Sequence, residues 1–565
     1  LDGAKERDNK FQVLKCPWCG TKMVKDLEKD GQRSRTIGAW GYRIIQKNGK
    51  HFRLFCPHSA CDFHLELPIQ IVDEELYLHP PTLLFATVDK FAMLPWEAQI
   101  GAFFAAGIAS RAPELIIQDE LHLISGTLGT IVGLFETAID ALCSQKGIPP
   151  KIIASTATIR RAKEQCAALY NRAVVQFPPP GLNANDSFFA KDAVIDHAHG
   201  KYGRKYVGIM PSGKTKAIIE IRLMAALLQR LFMMDLPDEV KDKLWTLTAY
   251  FNSLKELGKA STFANDDVKD FIKRTAYRTF TRARLMGIPD ELTSRVSTTE
   301  LNETLNKLEK TAYSKENIAA KKYASNVLLA TNMISVGIDV ARLNVMMLLG
   351  QPKLTSEYIQ ASSRVGRSYP GVVFVQYDAT KSRDRSHYEH FPAYHASFYR
   401  FVEPTGATPF SRPARARALH SVVTAMLRHQ IGLRSDNTAI QFSRSDYADE
   451  IRACEDFITD RVASINALLH DHAAEDTDEL REEIEYFLRR WEEAVHACKQ
   501  DDPPSALYFG QKFMVKSPTD GERRLLKGYG ARGTDQAFET LTSMRHVDTP
   551  VRGNVIVWEG DNTHV

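Results

Sequence analysis

The sequence has little cysteine, no long apolar run and little net charge, and each shortage excludes a class of protein. Eight of the 565 residues are cysteines, too few for a disulfide-stapled secreted scaffold. We find no apolar run long enough to span a bilayer and no signal peptide at the polar start, so no membrane partner is predicted. A formal net charge of +4 requires any nucleic-acid-binding surface to be local.

Length and composition indicate several globular domains. Hydrophobic residues make up 44% of the chain and charged residues 25%, as is typical of soluble globular proteins. A chain of 565 residues is too long to form one hydrophobic core. Because the first residue is Leu1 rather than methionine, we expect the chain to begin inside a longer protein.

Two pairs of cysteines near the start predict a metal centre. Four thiolates in two closely spaced pairs form a closed tetrahedral zinc site, which is structural rather than catalytic. His58 and His64 are alternatives for one of the thiolates, and four unrelated reduced cysteines are the other interpretation. The predicted zinc ligands are Cys16, Cys19, Cys56 and Cys61.

The stretch PELIIQDELHLISG at residues 113–126 predicts a short apolar strand that ends in adjacent carboxylates. Such a strand is a common way to hold Mg²⁺ against a nucleotide. Asp119 would bind the ion through its water shell, and Glu120 would polarise the water that attacks the γ-phosphate. The alternative is a strand that ends in a solvated acidic turn.

Two flanking stretches fit the same site. Residues 131–142 predict a helix and residues 151–154 a second apolar strand, which ends in Ser155 and Thr156. Small hydroxyl residues after a buried strand can couple a nucleotide site to movement of a neighbouring domain. Residues 82–96 predict a strand and then a helix start, with Thr87 and Lys90 placed to hold a backbone phosphate. An ordinary capped helix is the alternative there.

Residues 208–215 satisfy the phosphate-loop pattern G-x-x-x-x-G-K-T between a predicted strand and a predicted helix. Lys214 would contact the β- and γ-phosphate oxygens and Thr215 would bind Mg²⁺. The pattern follows the carboxylate strand, whereas the phosphate loop of a two-lobed motor starts the first lobe. A structural strand-turn-helix is therefore favoured, and a true nucleotide loop is the alternative.

The stretches after residue 244 add polar residues at predicted strand ends. Residues 244–257 predict a strand and a helix capped at Asn252–Ser253, and strands are also predicted at 327–330, 345–349 and 372–375. Arg364 and Arg367 are three apart on a predicted helix and would clamp developing phosphate charge, or alternatively mark an exposed helix end. Residues 376–430 alternate basic and aromatic side chains, which favours single-stranded nucleic acid or, more often, a core.

The order of these motifs over roughly residues 80–375 resembles superfamily 2 helicases, in which two RecA-like lobes hydrolyse ATP. The resemblance implies ATP and Mg²⁺ as cofactors. It implies catalytic roles for Asp119, Glu120, His122, Gln360, Arg364 and Arg367, and nucleotide contacts from Gly337, Asp339, Ser155 and Thr156. It implies nucleic-acid contacts from Asn252, Thr331 and Asn332 beside the candidates Thr87 and Lys90.

A narrower resemblance joins the chain to the DrmA helicases of DISARM phage-defence systems. It is carried by IIQDELHLISGTLGT, STATIRRAKEQ, VGIMPSGKTKA, YFNSLKELG and RDRSHYEHFPAYHASFYRFVEPTGATPFSRPARARALHSVV. This resemblance implies DNA as the substrate, single-stranded or with an overhang, a bacterial cytoplasmic setting and a DrmB-like partner protein. The expected function is an ATP-dependent DNA helicase or translocase, and the alternative is a helicase-shaped DNA-binding scaffold.

The predicted fold is α/β, with two RecA-like lobes, a zinc-binding insertion in the first lobe and a helical C-terminal region. The predicted boundaries are 1–75 for the insertion, 76–200 for the rest of the first lobe, 201–380 for the second lobe, 381–500 for the helical DNA- or partner-binding region and 501–565 for a β-rich tail. No phosphate loop precedes Asp119, so we expect no ATP hydrolysis from this length of chain alone. Ala361 and Ser363 stand where the family often has arginine and glycine.

Overall fold

The computed structural model describes residues 11–24, 40–46, 49–106, 111–144, 147–156, 161–179, 182, 191, 193–211, 213–335, 340–469, 476–510, 522–529 and 536–545. The chain divides into two compact units. Unit 1 comprises Leu1–Tyr42, Phe55–Leu65 and Gln176–Glu403, and unit 2 comprises Arg43–Leu54, Glu66–Val175 and Pro404–Val565.

The strands and helices, in chain order, are as follows. The strands are β1 (Tyr42–Gln46), β2 (Lys50–Leu54), β3 (Leu115–Gln118), β4 (Lys151–Ala154), β5 (Lys205–Ile209), β6 (Leu247–Phe251), β7 (Asp290–Leu292), β8 (Val327–Ala330), β9 (Val345–Leu349), β10 (Val372–Gln376), β11 (Ala506–Tyr508), β12 (Glu522–Arg524), β13 (Leu526–Gly528) and β14 (Phe538–Thr540). The α-helices are α1 (Asp73–Leu78), α2 (Gly126–Cys143), α3 (Ala162–Tyr170), α4 (Lys216–Met233), α5 (Asp238–Trp245), α6 (Leu254–Asn265), α7 (Asp267–Arg278), α8 (Thr298–Lys310), α9 (Lys315–Ala319), α10 (Thr355–Ser362), α11 (Ser382–Glu389), α12 (Phe391–Ala396), α13 (Arg412–Gln430), α14 (Ala448–Leu469) and α15 (Thr477–Gln500).

Unit 1 is built on a six-stranded parallel sheet in the order β5-β10-β9-β6-β8-β7. Its central strands are continuous apolar runs such as VLLA and VMMLL, as expected of parallel strands covered on both faces. Two hydrophobic clusters lie on opposite faces, one around Met346 and Val373 and the other around Met347 and Leu329. The predicted α/β class with a parallel sheet is therefore confirmed.

Local sequence sets where the helices of unit 1 begin. The side chain of Ser253 accepts a hydrogen bond from the backbone N–H of Glu256 at the start of α6. At the start of α8, Ser297 and Glu300 form a reciprocal capping box. These caps satisfy backbone N–H groups that have no partner within the helix, so they fix the strand-to-helix junctions beside the sheet.

Unit 2 combines a small parallel pair, β3 and β4, with helices that share one large core. Helix α13 packs against α2, α14 and α15, and most residues of α13 and α2 are buried. The close approach depends on Gly133 of α2, where an added Cβ would lie 2.5 Å from Pro409 Cγ. Short two-stranded sheets, β11-β12 and β13-β14, complete this unit.

Helix α2 corrects the expectation about apolar runs. Within the described residues it is the one helix that is long and apolar enough, by length and composition, to cross a membrane. In the fold, 78% of the residues in its apolar window are buried, and its side chains belong to the core of unit 2. An apolar helix of this kind is accounted for by helix-on-helix packing.

Two local predictions were wrong. Residues 82–87 form no strand, and a 3-10 helix at Val88–Met93 follows them where a strand and an α-helix start were expected. Helix α10 ends at Ser362, so Arg364 and Arg367 lie in the turn beyond it and not on a helical face.

Candidate nucleotide site and metal centre

The predicted acidic and hydroxyl segments lie together at one edge of the β3-β4 pair. Residue Ile117 of β3 pairs with Ile153 of β4 in parallel register, so both strands end at the same edge. Asp119 and Glu120 follow β3, and Ser155 follows β4. Carboxyl ends of parallel strands are the usual position of ligand sites in α/β sheets, and two predicted motifs meet there.

Hydrogen bonds lock the two segments together. The Ser155 hydroxyl donates to Asp119 Oδ1 at 2.5 Å, and the Glu120 backbone N–H donates to the same oxygen at 2.9 Å. The backbone of Leu121 donates to the carbonyl of Ser155 at 2.9 Å. Because Asp119 is exposed, its carboxylate is fixed in direction while it stays open to solvent.

His122 adds a buried group beneath this edge. Its side chain is 6% exposed, with Nδ1 3.3 Å from Glu120 Oε2 and 3.3 Å from the hydroxyl of Thr156. Glu120 has a left-handed backbone, with φ of 51° and ψ of 49°. The structure thus brings together the five residues predicted for the acidic and hydroxyl motifs: Asp119, Glu120, His122, Ser155 and Thr156.

Sequence reasoning missed the residues that brace this turn. The fully buried Gln165 donates from Nε2 to the carbonyl of Ile124 at 2.6 Å and to that of Leu121 at 3.3 Å. The hydroxyl of Thr405 donates to Gln165 Oε1 at 2.5 Å. Glutamine in helix α3 carries no motif signal, and Thr405 lies 240 residues away, so only the fold joins them.

Unit 1 places further predicted residues where its strands end. Asn252 follows β6 and donates from Nδ2 to the carbonyl of Leu349 at 3.2 Å, while Thr331 and Asn332 follow the neighbouring strand β8. Asn252 and Asn332 are exposed and Thr331 is buried. They share one sheet edge because β6 and β8 are parallel neighbours.

The predicted arginine pair, Arg364 and Arg367, lies in the segment after α10 of unit 1. Gln360 belongs to α10, the backbone N–H of Arg364 donates to the carbonyl of Ala361 at 3.2 Å, and Arg367 Nε donates to the carbonyl of Ser363 at 3.4 Å. Arg367 is exposed and Arg364 is half-buried. Gly337 and Asp339 lie outside the described residues.

Part of the basic and aromatic stretch after β10 packs against the residues that follow β9 and β10. Tyr394 is 4% exposed, and its hydroxyl lies 3.2 Å from Gln351 Nε2. Asp384 accepts from the backbone N–H of Asp378 at 2.8 Å. Tyr399 stays exposed at 65%, so the segment combines core aromatics with exposed ones.

The described residues of 208–215, which leave out residue 212, join the end of β5 to the start of α4 in unit 1. Gly208 lies within β5, where an added Cβ would be 2.9 Å from the ring of Phe391. The hydroxyl of Thr215 caps α4 by accepting from the N–H of Ile218 at 3.4 Å, and Lys214 is exposed. Packing and capping therefore account for a glycine and a threonine of the pattern.

Thr87 and Lys90 also belong to unit 2. Both are exposed at the 3-10 helix Val88–Met93, and Lys90 Nζ lies 3.3 Å from Asp73 Oδ2. Their neighbour Asp89 accepts from Ser543 Oγ and from Arg545 Nε, each at 2.7 Å.

The four predicted zinc ligands form one cluster in unit 1. Their sulfur atoms all lie within 4.8 Å of one another, with Cys19 3.4 Å from Cys56 and Cys16 4.0 Å from Cys61. Four sulfurs about 2.3 Å from a shared zinc ion would be separated by just under 4 Å, so the cluster fits the ion. His64 Nδ1 instead lies 3.1 Å from the carbonyl of Cys61.

The thiols differ in acidity. Hydrogen bonds with the side chain and backbone of Thr21 lower the pKa of Cys19 to about 6. Burial raises the pKa of Cys56 to about 12. Zinc is bound by thiolates, so binding of the ion would release the protons of the thiols that are neutral.

Comparison with known proteins supports the predicted resemblance. Residues 274–369 match the family described as Helicase conserved C-terminal domain. The chain is 35% identical to the DISARM protein DrmA of Bacillus paralicheniformis, over 98% of this chain and 49% of that protein. It therefore spans about half the length of this curated relative.

Solved structures give similar matches at low identity. The crystal structure of the DUF1998 helicase MrfA bound to DNA matches with 16% identity and a TM-score of 0.42, over 62% of this chain and 40% of that one. The helicase Lhr of Mycobacterium smegmatis, bound to single-stranded DNA and AMP-PNP, matches with 14% identity and a TM-score of 0.39, over 63% and 40%. The predicted resemblance is confirmed by the sequence matches: along nearly its whole length the chain is similar to the DISARM protein DrmA, and residues 274–369 match the helicase conserved C-terminal domain.

Proposed function

We propose that the chain is part of an ATP-dependent DNA helicase or translocase of superfamily 2 that acts in DISARM anti-phage defence. The observation that carries the proposal is the bonding of two motifs at one sheet edge, Asp119 to Ser155 and His122 to Thr156. A motor must pass the state of its nucleotide to another segment. These hydrogen bonds would pass a shift of the carboxylates to the hydroxyl segment after β4.

The residues of unit 2 fit magnesium and ATP. Asp119 Oδ1 holds two hydrogen bonds, and a carboxylate has about four acceptor positions, so Oδ2 can accept from a metal-bound water. Bound Mg²⁺ would neutralise charge on the phosphates. Glu120 would orient the attacking water, and its 3.3 Å approach to His122 would hold the carboxylate in position.

Further roles follow from the family resemblance. Arg364 and Arg367 would stabilise charge on the γ-phosphate, with Gln360 beside them. Gly337 and Asp339 would contact the nucleotide. Asn252, Thr331 and Asn332 would contact the DNA backbone, together with Thr87 and Lys90, and a DrmB-like protein would be the partner. The Cys₄ cluster would hold Zn²⁺ as a structural ion.

The test is DNA-stimulated ATP hydrolysis by the full-length protein. We expect Glu120→Gln to lower kcat by at least about 100-fold, because the carboxylate that orients water is lost. Arg364→Ala should lower kcat by about 100-fold with unchanged single-stranded DNA affinity. The matched control is Glu114→Gln, which removes an exposed carboxylate directly before strand β3.

Lys214→Ala separates the alternatives. Unchanged hydrolysis in this variant supports the motor, and loss in both Lys214→Ala and Glu120→Gln would show that residues 208–215 bind the nucleotide. A full-length protein that binds DNA without DNA-stimulated hydrolysis would refute the motor and leave a DNA-binding scaffold.

A further inference from the structure

The six-stranded sheet of unit 1 is covered unequally on one face. Parallel register places Leu247, Val345 and Val372 in one row, and the side chains of alternate residues share a face. On this face, β6 and β8 are buried against α4, α6 and α7. Val372 and Phe374 of β10 remain half-buried, although the opposite face of β10 is fully buried at Val373 and Val375.

A groove of about 960 Å³ lies over this uncovered part. Its floor is formed by the amino halves of β5, β10, β9 and β6. One wall is formed by Leu227 and Leu231 of α4 and by Met234, which directly follows that helix. The segments that enter β5 and β10 form the opposite side, with Tyr202 and Tyr369. The groove is therefore an apolar depression on the sheet, beside helix α4.

The dimensions favour a helix as the occupant. Parallel sheets occur with helices on both faces, and here one half of a face has none among the described residues. A five-residue strand such as β10 is about 17 Å long, which about eleven helical residues would cover. A helix lying beside α4 would bury the apolar side chains of Val372 and Phe374.

The charges at the groove specify the helix further. The described residues that line the groove include no carboxylate. They include four cationic residues: Arg204, Lys205, Arg230 and Arg284. Arg284 is committed to backbone carbonyls and to the ring of Trp245, 3.6 Å away. Arg230 and Lys205 are exposed, so they would meet acidic side chains flanking an apolar helix face.

The apolar surface continues past the groove. The hydroxyl of Thr281 lies 3.8 Å from Met233 Sδ, which places the loop after α7 against the end of α4. This loop exposes Phe280 at 97%, Leu285 at 79% and Ile288 at 81%. An apolar surface of this extent, interspersed with arginines, is typical of a protein–protein interface.

From these features we propose that the groove of unit 1, at the amino ends of β5 and β10, binds an amphipathic helix of a partner protein. The helix presents large apolar side chains to Phe374 and Met234, and acidic side chains to Arg230 and Lys205. The proposal does not depend on nucleotide hydrolysis, because it uses the sheet edge opposite to Asn252 and Thr331.

A peptide tests the chemistry of the groove. The probe is a fluorescein-labelled, hydrocarbon-stapled helix of about twelve residues, with leucines on one face and glutamates beside them. We expect fluorescence anisotropy to report saturable binding to the full chain. An isomer with the leucines spread around the helix, and a version with lysine for glutamate, should bind at least about tenfold more weakly.

Matched variants localise the binding. Arg230→Glu and Met234→Asp should each weaken the acidic peptide about tenfold. The control on the same helix, Arg222→Glu, makes the same change of charge outside the groove lining and should leave binding unchanged. Equal binding of all three peptides, no binding, or an equal effect of the control would overturn the proposal.

Photocross-linking identifies the occupant. With p-benzoylphenylalanine at position 234 of the full-length protein in its native cells, we expect a cross-link to a helical, acidic segment of a different polypeptide. A cross-link to another segment or copy of this chain, or none at all, would overturn the assignment to a partner protein.

Discussion

At Glu120 the backbone is in the left-handed region, with φ of 51° and ψ of 49°. A residue with a Cβ is strained there by about 1–2 kcal/mol, and glycine is not. Strain of this kind persists where surrounding structure fixes it and is found at functional sites. Here the bond from Ser155 to Asp119 and the bond from Leu121 to Ser155 fix the turn on both sides.

The strain predicts an unusual order of stability at this residue. Glu120→Gly and Glu120→Ala both remove the carboxylate and should both abolish hydrolysis. The glycine variant should be more stable than the alanine variant by about 1 kcal/mol, measured by urea unfolding, because it relieves the positive φ. The control position is Glu114, which has no positive φ. There the Glu114→Gly variant should be less stable than the Glu114→Ala variant. The same order of stability at both positions would contradict strain at Glu120.

Among the elements, the cysteine cluster is the clearest case of a pattern that specifies its own geometry. Gly20 has a φ of +74°, and its N–H donates to the carbonyl of Cys16 at 2.9 Å, which closes the first knuckle. The second knuckle closes through the N–H of Cys61 and the carbonyl of His58 at 3.0 Å. Each cysteine pair therefore forms a tight local turn.

Loss of one thiolate should release the ion. Cys56→Ser should bind roughly one zinc equivalent less than wild type and unfold at a lower temperature, since a structural zinc site contributes folding energy. Atomic absorption on the purified protein measures the zinc content. Cys166→Ser, in helix α3 of unit 2, should keep the full zinc content; equal zinc in wild type and Cys56→Ser would contradict the site.

Elements also differ in how far sequence determines them. The strands Lys151–Ala154 and Val345–Leu349 were predicted with the bounds observed, because a short apolar run between polar residues has few other solutions. The turn at Arg364 and the irregular segment before Val88 were not. Helix periodicity continues past a helix end whenever the following residues are compatible with it, so the end is set by packing.

At the scale of the molecule, unit 2 buries charge inside its helical core. Asp140 of α2 accepts from Arg461 of α14 at 2.8 Å and from Arg172 at 2.7 Å. Burial raises the pKa of Glu136, one turn earlier in α2, to about 7, while Arg461 lowers it and Asp140 raises it. Arg461 therefore forms its ion pair with Asp140. Glu136 is protonated more easily than an exposed glutamate, because burial raises its pKa.

The raised pKa predicts the pH dependence of stability. The folded state binds the Glu136 proton more tightly than the unfolded chain does, so this contribution is present below the ordinary glutamate pKa and is lost as pH rises to about 7. Relative to Glu136→Gln, wild type should lose a few kcal/mol of unfolding free energy between about pH 5 and about pH 8. Urea unfolding at both pH values measures this, with Glu114→Gln as control; a constant difference between wild type and Glu136→Gln would refute it.

The sequence alone determined the apolar strands, the two cysteine knuckles and the acidic and hydroxyl motifs, because each depends on residues within a few positions of one another. It also carried the resemblance to DrmA helicases. Tertiary structure alone decided that Gln165 and Thr405 brace the acidic turn, that Thr215 caps a helix, and that the described part of the chain leaves one half of a sheet face uncovered. Those features join residues far apart in the chain, and no local pattern encodes which distant side chain will satisfy a buried polar group or cover a strand.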